Sequence, residues 1–287
     1  MYRFIPFFAL LLLLPVQMLR AQCSDAGACA IGAMHGESDV EVPRHQAAVR
    51  YIFGSSGKPE EISYHSILFE GSVEVFSGAR VSARLPYMVV DAPPGSISGI
   101  GDLTVLWDQR LWQDDGMELR AQGGVKLPTG EDNAKGLPQL YQTGLGTTDL
   151  LLGLSLDAAP WNAAIGYQYS DGRSENSRTR LQRGDDLFAR AGYRTVVNDF
   201  GLGLEVIAIQ RLALSSVINL EAEGLDRFIS VPGSDQLQVN LLGSASTPLA
   251  DNLRLALLAA IPLLKRDVNI DGLKRALTVS VGLELGI

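Results

Sequence analysis

Leu277-Thr278-Val279-Ser280-Val281-Gly282-Leu283-Glu284-Leu285-Gly286-Ile287 alternates without a break: apolar residues at odd positions, and Thr, Ser, Gly or Glu at even ones. Successive side chains of an extended chain point to opposite faces, so this stretch reads as a strand with one oily and one polar face. Upstream, Leu237 to Ala245 and Leu253 to Leu263 keep the same apolar period. Repeated along a secreted chain, such strands point to a barrel with lipid outside and polar groups inside.

Working outward with the period-2 template gives twelve expected strands, near 45–53, 62–76, 80–90, 100–112, 117–127, 147–156, 161–170, 185–195, 200–212, 235–246, 253–263 and 274–286. Even-numbered strands end in tight turns: Ser77-Gly78-Ala79, Gln113-Asp114-Asp115-Gly116, Asp157 to Pro160 and Val196 to Asp199, with a slightly longer link from Thr247 to Asn252. Gly, Asp, Asn and Pro stand where turn geometry wants them. Odd-numbered strands are followed by longer loops, such as Pro128 to Gly146, Asp171 to Gly184 and Ala213 to Ser234. Strict alternation of long and short connections is expected of an outer-membrane barrel, not of a soluble sandwich. The fold class is therefore all-β: a transmembrane antiparallel up-and-down β-barrel over residues 45–287, with about 12 strands.

Phase assignment tests this, because a basic side chain at the lipid midplane costs about 2–4 kcal/mol. The outward set includes Val49, Tyr51, Phe53, Ile67, Phe69, Leu85, Trp107, Val125, Leu150, Leu152, Leu154, Ile165, Leu187, Leu202 and Leu204, and no member of it is charged. The opposite phase collects Arg50, Glu70, Glu74, Arg80, Arg84, Asp102, Asp108, Arg110, Glu118, Arg120, Lys126, Asp149, Arg190, Arg194, Glu205, Arg254 and Glu284 as lumen-lining residues. Most of these are expected to pair with one another; charge placement among the rest would set selectivity along a narrow path. Tyr51, Tyr64, Tyr87, Trp112, Trp161, Tyr169 and Tyr193 lie near strand ends and are candidates for interfacial girdles.

Arg3, an apolar run from Phe4 to Leu19, and Arg20-Ala21-Gln22 read as a signal peptide spanning residues 1–21. Its removal takes away two of the 24 basic residues and none of the 32 acidic ones, moving the net charge from −8 to −10. That balance excludes nucleic acid as a partner. Residues 22–44 form a periplasmic N-terminal segment holding both cysteines, Cys23 and Cys29, for which an exported context favours a disulfide. A zinc site with His35 does not match ordinary ligand spacing, and the residues before Cys23 do not resemble a lipoprotein signal.

Gly99, Gly101 and Asp102 on one strand, then Lys126-Leu127-Pro128-Thr129-Gly130, then Gly144-Leu145-Gly146-Thr147-Thr148-Asp149, form a constellation across residues 99–157. It resembles the outer-membrane channel family named for the meta-pathway of phenol degradation, in which these elements recur in this order. The resemblance implies a channel or transporter for small, often apolar or aromatic, compounds, without a transferable substrate site. Implied partners are outer-membrane lipids, a small-molecule solute and the barrel-insertion machinery, although Ile287 stands where bacterial barrels usually end in an aromatic residue.

Other motifs carry less chemistry. Neither Gly-x-Gly has the third glycine and following helix of a nucleotide site. Asp267-Val268-Asn269-Ile270-Asp271-Gly272 matches the first half of a calcium loop, but Thr278 occupies the place of the bidentate Glu, so an Asp-Gly loop tip is expected, with no metal and no cofactor. His65 beside Ser66 could serve a lipid hydrolase only if both faced one side, which adjacent strand residues do not. The expectation is thus a channel in the bacterial outer membrane with no catalytic residues; the alternatives are a sealed structural or adhesive barrel acting through its outer loops, and an outer-membrane lipid hydrolase.

Overall fold

The computed structural model describes residues 44–57, 61–173, 175–221, 227–270 and 276–287. Its strands are β1 (His45–Gly57), β2 (Ile62–Phe76), β3 (Ala79–Ala92), β4 (Gly95–Ile100), β5 (Leu103–Asp114), β6 (Met117–Leu127), β7 (Thr148–Ala158) and β8 (Trp161–Asp171). There follow β9 (Asp186–Val197), β10 (Phe200–Arg211), β11 (Ser216–Ile218), β12 (Phe228–Ser230), β13 (Leu237–Ala250), β14 (Leu253–Leu264) and β15 (Leu277–Gly286). Thirteen of them form one antiparallel sheet, and β1 bonds both β2 and β15, so the sheet closes on itself. Because β3 pairs first with β4 and then with β5, these two are halves of one stave broken at Gly101-Asp102, and the barrel has twelve staves. The remaining strands, β11 and β12, pair as a small hairpin in the connection between β10 and β13.

Closure bonds every stave to two neighbours, which is what a sheet in hydrocarbon requires; among the described strands of the sheet only β4, beyond the break at the loop rim, is paired on one side. One rim carries only two-residue turns. Asp115 and Gly116 have φ of 41° and 78°, and Asn198 and Asp199 have φ of 50° and 68°, the paired left-handed conformations of type I′ hairpins. Both ends of the described barrel meet there, where the Ile287 N–H donates to the His45 carbonyl at 2.8 Å. The opposite, loop rim carries the long connections.

The expected loop alternation needs one correction. The third stave is followed not by a long loop but by Pro93-Pro94 alone, because β3 and β4 run on as a hairpin beyond the expected strand ends. The link after β13 is likewise shorter than read, only Asp251-Asn252, since the strand continues through Pro248 with a local shift of register.

The phase reading holds along the staves. Leu150, Leu152, Leu154 and Leu156 are exposed on β7, while Asp149, Leu151 and Ser155 are buried. The same alternation exposes Val279, Val281, Leu283 and Leu285 and buries Thr278 and Ser280 on β15. This charge-free apolar surface is the solvent-facing side that a bilayer covers. Trp161 and Tyr193 meet edge-on at 5.0 Å near the turn rim, as an interfacial girdle would place them. Tyr64 is a correction to the girdle: it faces inward, buried, with its hydroxyl 3.5 Å from Thr278 Oγ1, because it lies on the opposite phase from Ile67 and Phe69. Among the described residues no helix is long and apolar enough to cross a membrane. The signal peptide and the Cys23–Cys29 pair lie outside the described residues, as does part of the Asp267–Gly272 motif.

Candidate functional site

The inward side chains form three levels. Nearest the turn rim are compact ion-pair clusters. Arg50 on β1 bonds Glu70 on β2 and Glu284 on β15, and Arg84 Nε on β3 lies 2.8 Å from the second oxygen of Glu70. Arg120 on β6 bonds Asp108 and Glu118, and Gln122 completes Asp108 at 2.5 Å. Arg190 on β9 and Arg194, the latter at 2.9 Å, share Glu205 on β10. At the rim itself Glu74 accepts the Gly78 N–H at 3.2 Å, Arg80 reaches Gln46 at 3.4 Å, Arg110 reaches Gln113 at 2.7 Å and Arg254 reaches Ser246 at 2.9 Å. This level is partly hydrated: the side chains of Arg50, Glu118 and Glu284 keep 24, 27 and 36% of their surface.

The middle level departs from the expected ionic interior. Leu106, Leu151, Phe188, Ile207 and Ile209 form a buried apolar cluster inside the lumen, with Leu242 packed against it. These residues occupy inward positions on β5, β7, β9, β10 and β13, so the belt extends around a large part of the wall. The tip of the Phe188 ring lies over Gly166 of the neighbouring strand β8: a Cβ there would sit 2.1 Å from its Cζ. Leu106 covers Gly124 in the same way. Glycine on one strand thus makes room for a large inward side chain of its neighbour.

The third level, toward the loop rim, is where the motif Gly101-Asp102 … Lys126 to Gly130 … Gly144 to Asp149 comes together. Asp102 stands where β4 breaks into β5; its carboxylate accepts the N–H of Gly130 and of Leu145, both at 3.1 Å, and lies 3.4 Å from Lys126 Nζ. Thr129 Oγ1 donates to the Gly101 carbonyl at 2.7 Å and accepts the Leu103 N–H at 2.9 Å. The Gly101 N–H bonds the Pro86 carbonyl at 2.7 Å, and Gly99 pairs with Met88 in the β3–β4 ladder. Gly130 and Gly144 touch backbone to backbone; a Cβ on Gly130 would lie 2.7 Å from Gly144 Cα. Leu127 and Pro128 end β6, and Gly146 turns the chain at φ 58° into β7 and Asp149. The motif is thus a knot that folds the connection 128–147 inward. Leu140 and Tyr141 of that connection pack on a second apolar cluster made by Ile62, Tyr64, Met88 and Val90.

From the knot a charge network crosses the mouth. Lys126 lies 3.5 Å from Asp149; Asp149 lies 3.6 Å from Arg183; Arg183, Arg211 and Arg266 converge on Asp186 at 3.3, 3.0 and 3.0 Å. Asp149 also accepts Gln168 at 2.6 Å and Ser170 at 2.8 Å. The side chains of Arg183, Asp186, Arg211 and Arg266 are all 0% exposed, so this half of the lumen is close-packed. These four residues were not among the sequence candidates. Period 2 carried a signal for two of them, since Asp186 shares its face with Arg190, and Arg211 with Glu205. Arg183 and Arg266 lie in connections, where no periodicity points.

His65 and Ser66 do not form a proton-transfer pair. Ser66 faces the lumen, whereas His65 faces outward, its Nδ1 2.6 Å from the Tyr51 hydroxyl and its ring beside Phe53. Thr278, at the place of a calcium-loop Glu, is a buried lumen residue of β15.

No family model matches the chain, and no curated protein matches it. Among solved structures, the fold is similar to that of an outer membrane channel from Pseudomonas putida F1, with 13% identity and a TM-score of 0.66, over 87% of this chain and 97% of that one. Looser matches include the NanC porin, at 12% identity and TM-score 0.47 over 85% and 100% of the two chains. Outer membrane phospholipase A from Escherichia coli matches at 11% identity and TM-score 0.44, over 85% and 97%.

Proposed function

We propose that the chain is a bacterial outer-membrane channel for small molecules, with the turn rim in the periplasm and the loop rim outside. The observation that carries this reading is the fold: a closed twelve-stave barrel, similar over nearly its whole length to an outer membrane channel, whose interior opens at the turn rim into a partly exposed, charged vestibule. The belt suits a solute with an apolar body, and the fold similarity to an outer membrane channel agrees with the assignment. Insertion by the barrel-assembly machinery, and export under a signal peptide at residues 1–21, belong to the same proposal. Selectivity then rests with Arg50, Glu70, Arg84, Arg120, Arg190 and Glu205, which border the vestibule.

The purified protein in planar bilayers, and in vesicles loaded to report solute entry, tests the proposal. Passage of ions and small solutes is expected. A fully folded preparation that passes neither, in any variant, sinks it. One observation favours the second reading, a sealed barrel acting through its outer loops: the loop-rim half of the lumen is close-packed as described. On the channel reading that packing is a closed gate.

A further inference from the structure

Asp186, the first residue of β9, gathers three arginines at the loop rim. Arg211, at the end of β10, grips it with two prongs, Nε to Oδ1 at 3.1 Å and Nη2 to Oδ2 at 3.0 Å. Arg266 Nη2 reaches Oδ1 at 3.0 Å and Arg183 Nη2 reaches Oδ2 at 3.3 Å. Asp186 and Arg211 belong to the wall. Arg183 belongs to the connection from β8 to β9 and Arg266 to the connection from β14 to β15, so one carboxylate fastens two loops across the mouth.

A guanidinium buried away from water needs an anion, and its planar fork fits a carboxylate in two-pronged geometry. The arginines are therefore held by carboxylate chemistry rather than by Asp186 in particular. A free carboxylate offers the same oxygens. A second observation lies just inside the hub: Arg266 also bonds the Ile209 carbonyl at 3.2 Å, and one inward position along β10, Ile207 pairs with Asn240 of β13. Asn240 is 0% exposed, and neither its amide nitrogen nor its amide oxygen has a hydrogen-bond partner. Buried polar groups are ordinarily bonded, so a donor and an acceptor stand ready just inside the hub.

We propose that Asp186 is the latch of a gate across the loop-rim half of the lumen, and that its three arginines form a subsite for the carboxylate group of a small solute. The solute opens the gate by exchanging with Asp186, and its carboxylate then has the Asn240 amide as the next polar contact. This proposal rests on the channel reading.

Planar-bilayer recordings of the full chain test it, with benzoate and its uncharged isostere benzamide as probes and unheated gel mobility as the check on folding. Asp186→Asn removes the charge without changing the shape, and is expected to raise the open fraction about tenfold or more, about 1.4 kcal/mol of latch. Asp186→Glu, which restores the carboxylate, stays near the wild type. Benzoate raises the open fraction of the wild type and benzamide does not; Asp186→Asn no longer responds to benzoate. Recordings of Asp186→Asn indistinguishable from wild type, or equal responses to the two probes, overturn the proposal. A variant with residues 131–142 replaced by a short Gly-Ser link separates the two levels of failure. If it conducts while Asp186→Asn does not, the latch is wrong and the channel stands; if no variant conducts, the channel reading falls first.

Discussion

Placing a charge on the outer face at two depths measures whether that face meets hydrocarbon. Leu152 is the deep site: it is 60% exposed, in the middle of β7 between the Thr148 and Ala158 ends. With a rise of about 3.3 Å per residue and a tilt of about 40°, each residue climbs roughly 2.5 Å, which places Leu152 roughly 10 Å below the loop-rim end of its strand, near the middle of an apolar band about 25 Å tall. Val197 is the shallow site: it is 50% exposed and ends β9 beside the Asn198-Asp199 turn. Leu152→Arg is expected to lower folding stability by about 2–4 kcal/mol, whereas Val197→Arg loses about 0–1 kcal/mol because its side chain reaches the interface. In equilibrium terms the deep variant loses roughly one and a half to three powers of ten in its folded-to-unfolded ratio. The assay is reversible guanidinium titration into phospholipid vesicles, followed by tryptophan fluorescence and unheated gel mobility. Equal losses at the two positions, or none at Leu152, would refute the premise that depth in lipid governs the outer face.

Three further expectations follow from the lumen. Asp102→Ala removes the acceptor of the Gly130 and Leu145 N–H groups and an anion beside Lys126, so the connection 128–147 should become cleavable by added protease while the barrel still resists it; continued resistance of the loop argues against the knot. Gly166→Ala places a methyl where the tip of the Phe188 ring lies, displacing the ring; a stability loss of about 1–3 kcal/mol and an altered conductance are expected, and unchanged values in both would contradict the packing of Phe188 over Gly166. Glu205→Gln leaves Arg190 and Arg194 without their shared carboxylate, and the reversal potential under a salt gradient should shift toward anions; no shift would mean that this pair does not border the ion path.

The sequence by itself determined the barrel. In β15 and β7 the choice of face is written residue by residue, because period 2 forces every second side chain to the same solvent and a bilayer tolerates no charge there. The ion pairs of the vestibule were legible as a set for the same reason, though not as pairs: Arg50 with Glu70 and Glu284 depends on the registers of β1 with β2 and β15, which alternation alone leaves open. Only the tertiary structure decided that inward Leu151, Phe188 and Ile207 gather into a belt, since an apolar residue on the polar phase looks like noise until closure brings it beside others from distant strands. The mouth was likewise out of reach. Arg183 and Arg266 lie in irregular connections, and Arg266 meets Asp186 across 80 residues of chain, so these contacts have no local period to announce them.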